Sequence, residues 1–193
     1  MFHLKTHNVA LAAVDALSHG FSVRLEDGEH SMVFCGVHRL EDTDFRDCAQ
    51  LILTSLQATQ LALSSIQAPY LSCALSQLSP SIVEQLALGQ SPTEPVAFAA
   101  ATLPSAMLDA AMWMLGEAGL QPMLVCMNAA HAEQYSHVSL SELHALQNAP
   151  LALHEVSPGF VQLPLHIHEN TRLRMFCEEG NNRSHLAIQI GEP

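Results

Sequence analysis

Lysine is almost missing from this sequence. Lys5 is the only one among 193 residues, and with six arginines it faces 19 acidic residues, giving a formal charge of −12. Binding to a nucleic-acid backbone needs clustered Lys and Arg to release counterions, so nucleic acid is not expected as a partner. Anionic membrane surfaces are disfavoured for the same reason. Long apolar runs are missing too. The best candidate, Leu51 to Leu63, is interrupted by Thr, Ser and Gln and falls short of the roughly 18 residues of a membrane span, so no membrane insertion is expected. The first residues, Met1-Phe-His-Leu-Lys5, lack the charged start and apolar centre of a signal peptide, and the expected location is cytoplasmic. Paired cysteines are absent: Cys35, Cys48, Cys73, Cys126 and Cys177 are odd in number and contain no Cys-x-x-Cys. They fit reduced thiols used as small core residues better than a disulfide frame or zinc knuckle. No Walker loop, Gly-x-Gly-x-x-Gly, His-Glu-x-x-His or Gly-x-Ser-x-Gly occurs, so no cofactor and no catalytic role are expected.

What is present is enough apolar material for a core, 49% of the chain, in a length that suits one ordinary domain or two small ones. Asn8 to Ser18 has the spacing of a helix, with Gly20 as its stop. Phe21 to Leu25 alternates as a strand, Asp27-Gly28 is a hairpin turn, and Met32 to Val37 returns as a second strand. Phe45 to Ile66 reads as a long helix with a broad apolar face, ended by Pro69. Tyr70 to Leu78 fits either a helical turn or a strand, and Pro80 opens a short helix to Leu88. Gly89-Gln-Ser-Pro-Thr-Glu-Pro95 opposes both helix and strand and reads as a linker. Pro104 then opens a helix over Ser105 to Ala118. The expected division is 1–90 as a helix and hairpin region, 91–118 as linker and helix, and 119–193 as a small β module. The expected class is α+β, with a mainly helical N-terminal part carrying one β-hairpin.

The last quarter carries the clearest patterning. Leu120 to Met127 is a strand. Ser139-x-x-Glu142 is a capping box, in which serine accepts from the third helical N–H and glutamate reaches back. Leu140, Leu143 and Leu146 follow at helical spacing, and Pro150 stops the helix. Leu151 and Leu153 form a brief strand. Val161, Leu163, Leu165 and Ile167 alternate with Gln162, Pro164, His166 and His168, a period of two that defines one strand from Phe160 to His168. Leu186, Ile188 and Ile190 alternate again after the turn at Glu178 to Asn182.

That order of strand, Ser-Leu-x-Glu-Leu-x-x-Leu helix, short strand, long strand and closing Leu-x-Ile-x-Ile strand resembles the surface-presentation-of-antigens (SpoA) domain. This domain occurs in flagellar switch proteins and in the cytoplasmic ring protein of type III secretion systems. The resemblance spans about Leu120 to Ile190. The chain departs from the family pattern at Asn148-Ala149-Pro150, where Gly-Asp is usual, and at Glu169-Asn170, where a glycine is usual. The resemblance implies a structural role in a cytoplasmic ring or sorting platform, as a homodimer or paired with a second ring protein of the same type. It places the pairing surface on Val161, Leu163, Leu165, Ile167, Leu186, Ile188 and Ile190. A five-strand module has too little interior to cover both sheet faces alone, so burial against a partner is physically sensible.

Rival readings rest on other residues. His166 and His168 on one strand, with His185 or Glu169, suggest a metal enzyme. The ordinary alternative for 12 scattered histidines is a solvent-facing pair. Cys126 near His131 is a nucleophile and base on paper only, because a cysteine inside an apolar strand is usually inert. His131, His137 and His144 have no ligand spacing. Met107, Met112 and Met114 around Trp113 read as core before they read as an adaptable surface. Glu41, Asp42, Asp44 and Asp47 match no calcium loop. The acidic composition and N-terminal hairpin leave an acidic type III secretion chaperone open. The order at 105–128 leaves a phage-like shell protein open.

Overall fold

The computed structural model describes residues 3–37, 48–63, 66–127, 135–148, 153–156, 161–165, 168–178 and 184–191. These fall into two compact units, Met1–Gln147 and Asn148–Pro193.

The first unit is built on a seven-stranded sheet. Helix α1 (His3–Ser18) ends at Gly20, whose φ of +88° suits a residue without Cβ. β1 (Val23–Glu26) and β2 (Ser31–Gly36) form the hairpin across Asp27-Gly28. Asp27 Oδ1 accepts from the backbone N–H of Glu29 and of His30, which closes the turn. β3 (Cys48–Thr54) leads into α2 (Ser55–Gln60) through a capping box between Thr54 and Gln57. β4 (Tyr70–Ala74) runs into a 3-10 turn at Leu75–Gln77, and α3 (Pro80–Ala87) follows with proline in its first turn. After β5 (Ala99–Ala100) come α4 (Ser105–Glu117), β6 (Met123–Met127), β7 (Ser136–Ser139) and α5 (Leu140–Gln147). The strand order is β5-β4-β3-β6-β2-β1-β7, antiparallel except for the final β1–β7 pair.

Two apolar cores lie on opposite faces of this sheet. One joins α1, α4 and α5 to Leu25, Phe34, Ile52, Leu124 and Val138. The other joins α2 and α3 to Cys35, Leu51, Leu53, Cys73 and Val125. The methionines of α4, Met107, Met112 and Met114, are buried in the first core. Tyr70 on β4 donates to Asp109 on α4, and burial together with that bond pushes the phenol well above its ordinary range. Ser139 and Glu142 form the reciprocal cap of α5: the Ser139 N–H donates to Glu142 Oε2 at 2.8 Å, and the Glu142 N–H donates to Ser139 Oγ at 3.2 Å.

This architecture corrects the expected class. The N-terminal region is not mainly helical; it is α+β and organised by the mixed sheet. The stretch Phe45 to Ile66, expected as one long helix, holds β3 and the six-residue α2. The reason is visible in Leu51, Ile52 and Leu53. All three are fully buried, with Ile52 in one core and its two neighbours in the other. A strand covered on both faces carries a continuous apolar run and loses the period of two that marks half-buried strands. The unit boundary also differs from the expected division. β6 sits between β2 and β3 in the centre of the sheet, so residues 123–127 belong with the first unit and not with a module starting at 119.

The second unit is a four-stranded antiparallel sheet. β8 (Leu153–Glu155), β9 (Val161–Leu165), β10 (His168–Glu178) and β11 (Ser184–Ile190) make it, and its described residues contain no helix. β10 is central, with β11 on one side and both β8 and β9 on the other. β9 pairs with β10 alone among the described residues, and such an edge position tolerates Pro164.

Candidate interaction surface

The eleven residues of β10 set the geometry of the second unit. Directly paired residues of neighbouring strands share a face, so the register sorts the side chains. Leu173 pairs with Val161 on β9 and with Ile188 on β11. Met175 pairs with Leu186, and Thr171 with Ile190. This face therefore carries aliphatic rows, with Thr171 towards one end and Cys177, Ser184 and His154 at the other. Val156, whose N–H donates to the Met175 carbonyl, is exposed at one end of β8. The opposite face carries the polar groups. Arg174 Nε lies 3.9 Å from Glu155 Oε1, and His185 Nε2 lies 3.2 Å from Glu178 Oε1.

The aliphatic face is open. Val161 is 56% exposed, Leu186 60%, Ile188 57% and Ile190 60%. Single exposed aliphatics are ordinary, but these lie on β9 and β11, on either side of the half-buried Leu173 and Met175 of β10, while Thr171 on the same face is fully buried. Contiguous exposed apolar patches on a monomer are often functional. What they can do is associate.

The structure places the expected interface residues unevenly. Val161, Leu186, Ile188 and Ile190 share the open face. Leu163 and Leu165 are placed by register alone, opposite Thr171 and His168. Ile167 lies outside the described residues. The single strand expected from Phe160 to His168 is divided: β9 ends at Leu165 and His168 opens its antiparallel neighbour, with a register shift between His168 and Thr171. Leu173 and Met175 belong to the same face, and their own alternation with Arg172 and Arg174 was the signal for it.

The histidines do not assemble into a described metal centre. His185 is on the polar face and paired with Glu178. His168 belongs to β10, and His166 lies outside the described residues. Among the described residues no group of three or more His, Cys, Asp or Glu is arranged to hold a metal ion. His131 and the acidic group Glu41, Asp42, Asp44 and Asp47 also lie outside the described residues. Cys126 is largely buried, which raises its thiol pKa above the ordinary value.

No protein-family model matches this chain. A comparison with curated proteins finds no match either. Among the described residues no helix is long and apolar enough to cross a membrane.

One polar cluster lies in the first unit. Glu26 on β1 sits 2.7 Å from His137 Nε2 on β7 and 2.6 Å from Arg24 Nε, which also donates to Ser31 Oγ at 2.9 Å. The hydrogen bond with His137, then the charges of His137 and Arg24, hold the Glu26 carboxyl below its ordinary value of 4.5. A carboxyl lowered by folding adds stability that is present above its unfolded value and is lost as pH falls through the folded one. Glu26→Gln is therefore expected to make the loss of melting temperature below about pH 4.5 shallower than in the parent chain. Parallel acid-side slopes in the two proteins would show that the pair contributes nothing.

Proposed function

We propose that this chain is a non-catalytic structural component of a type III secretion or flagellar-type cytoplasmic ring, and that it assembles through the aliphatic face of its second unit. The observation that carries the reading is the open stripe of Val161, Leu186, Ile188 and Ile190 on a sheet with no helix among its described residues. The family resemblance of the Leu120 to Ile190 pattern supplies the ring setting.

The charge distribution supports a second copy of this chain as the partner, with a second ring protein of the same domain type as the alternative. Fourteen acidic and four basic residues lie in 1–147, against five and three in 148–193. Of the formal charge of −12, −10 therefore falls on the first unit and −2 on the second. Two copies meeting through their second units avoid most of the like-charge repulsion that contact between first units would impose. The test is the solution mass of the full chain across a concentration series. Self-association is expected, and a chain that stays monomeric at every concentration removes the reading.

A further inference from the structure

The open face explains why the second unit associates but not how two copies are oriented. The geometry of β11 does. Among the described residues β11 pairs with β10 alone, and no described strand lies along its other side. Natural edges are usually blunted by lysine, proline, a bulge or an inward charge. β11 reads Ser184-His-Leu-Ala-Ile-Gln-Ile190, seven residues with no proline, lysine, arginine, aspartate or glutamate. Its register with β10 is regular over seven consecutive pairs, from Thr171–Ile190 to Cys177–Ser184, so no bulge twists the edge away. It is a long, uncharged strand edge on the unit that carries little net charge.

We propose that β11 is a strand-addition site for β11 of a second copy, joining the two four-stranded sheets edge to edge. This rests on the reading above in taking a second copy of this chain as the partner, and it places a contact at the β11 edge, where the aliphatic rows run on side by side and not face to face. An antiparallel pair related by a two-fold axis is self-complementary, and its register follows from the side chains. With Ile188 opposite Ile188 of the second copy, Leu186 faces Ile190 and Ile190 faces Leu186. All three cross-edge pairs on the aliphatic face are then apolar. A centre at Ala187 leaves two such pairs and sets Ser184 against Ile190. A one-residue slip sets Leu186 against Gln189 and turns the two aliphatic faces to opposite sides of the joined sheet. The centre at Ile188 alone continues the rows of Leu173 and Met175 across the junction with a full set of apolar pairs.

The register also states what meets on the other face: Ala187 faces Gln189 of the second copy, twice. Both positions lie on the face away from Leu186, Ile188 and Ile190, so changing them tests the edge without touching the aliphatic rows. In the full chain, Ala187→Lys with Gln189→Lys sets two like-charge pairs directly opposite each other. Ala187→Lys with Gln189→Glu sets two opposite-charge pairs at the same places. Measured by sedimentation at low salt, the first double variant is expected to dimerise at least about tenfold more weakly than the parent, and the second to recover to within about threefold. Equal dissociation constants for the two variants would overturn strand addition while leaving pairing through the aliphatic face standing. A parent chain that never dimerises would remove both.

Discussion

Ile188→Asp is expected to abolish self-association of the full chain at concentrations where the parent is paired, with its melting temperature nearly unchanged. The residue is 57% exposed in the single chain, so a charge there costs the folded monomer little. When a second copy covers the aliphatic face, the same position is buried in it beside Leu173 on β10. A carboxylate taken out of water with no cation to meet it costs several kcal/mol, roughly. Each ~1.4 kcal/mol is tenfold in a dissociation constant, so pairing should weaken by about a hundredfold or more. The measurement is the mass of both proteins at matched concentrations, with thermal unfolding as the control for fold. Unaltered pairing in the variant would show that Ile188 is not at the contact.

Ile52→Ala should be the most damaging conservative change in the first unit, while Leu56→Ala four residues later should be nearly silent. Ile52 is fully buried at the centre of β3, whose neighbours on the two sides are β4 and β6. Removing its outer carbons leaves a cavity that the flanking strands cannot collapse into, at a cost of about 2–5 kcal/mol. For a chain of this size, each kcal/mol lowers the melting temperature by roughly 2–4 °C, so a fall of about 5–15 °C is expected. Leu56 is 66% exposed on α2, and its truncation should stay within about 0.5 kcal/mol. The contrast separates a central strand followed by a short helix from a continuous helix, in which residues four apart share a face and would be hit alike. Similar losses at both positions would contradict the sheet order.

The parts of the fold that can be read in the sequence are those where one local signal acts alone. Asp27-Gly28 sets the hairpin, Gly20 ends α1, and Ser139 with Glu142 caps α5, because each needs particular residues at fixed offsets. β3 and β4 are hidden for the opposite reason. Residues 48–83 contain no charged side chain, and burial on both faces erases the alternation that would separate a strand from a helix. The position of β6 between β2 and β3 depends on pairings far apart in sequence, which no local pattern reports.

At the candidate surface, the alternation of Leu186, Ile188 and Ile190 translates directly into one face of β11. The alternation from Val161 to Ile167 misleads, because the period of two continues past the end of β9 at Leu165. Nor does the pattern reveal that the aliphatic residues of β11 stay exposed. That depends on the absence of a helix from the described residues of the second unit, a property of the assembled sheet and not of any one strand.

The most direct test of the central claim is the solution mass of the unmodified full chain, read by light scattering during size exclusion from low to high micromolar loading. The monomer mass is 20.9 kDa. The account expects the measured mass to rise toward twice that value as concentration increases, and to stay at the monomer value for Ile188→Asp under the same conditions. A parent chain that remains at the monomer mass throughout would contradict the account.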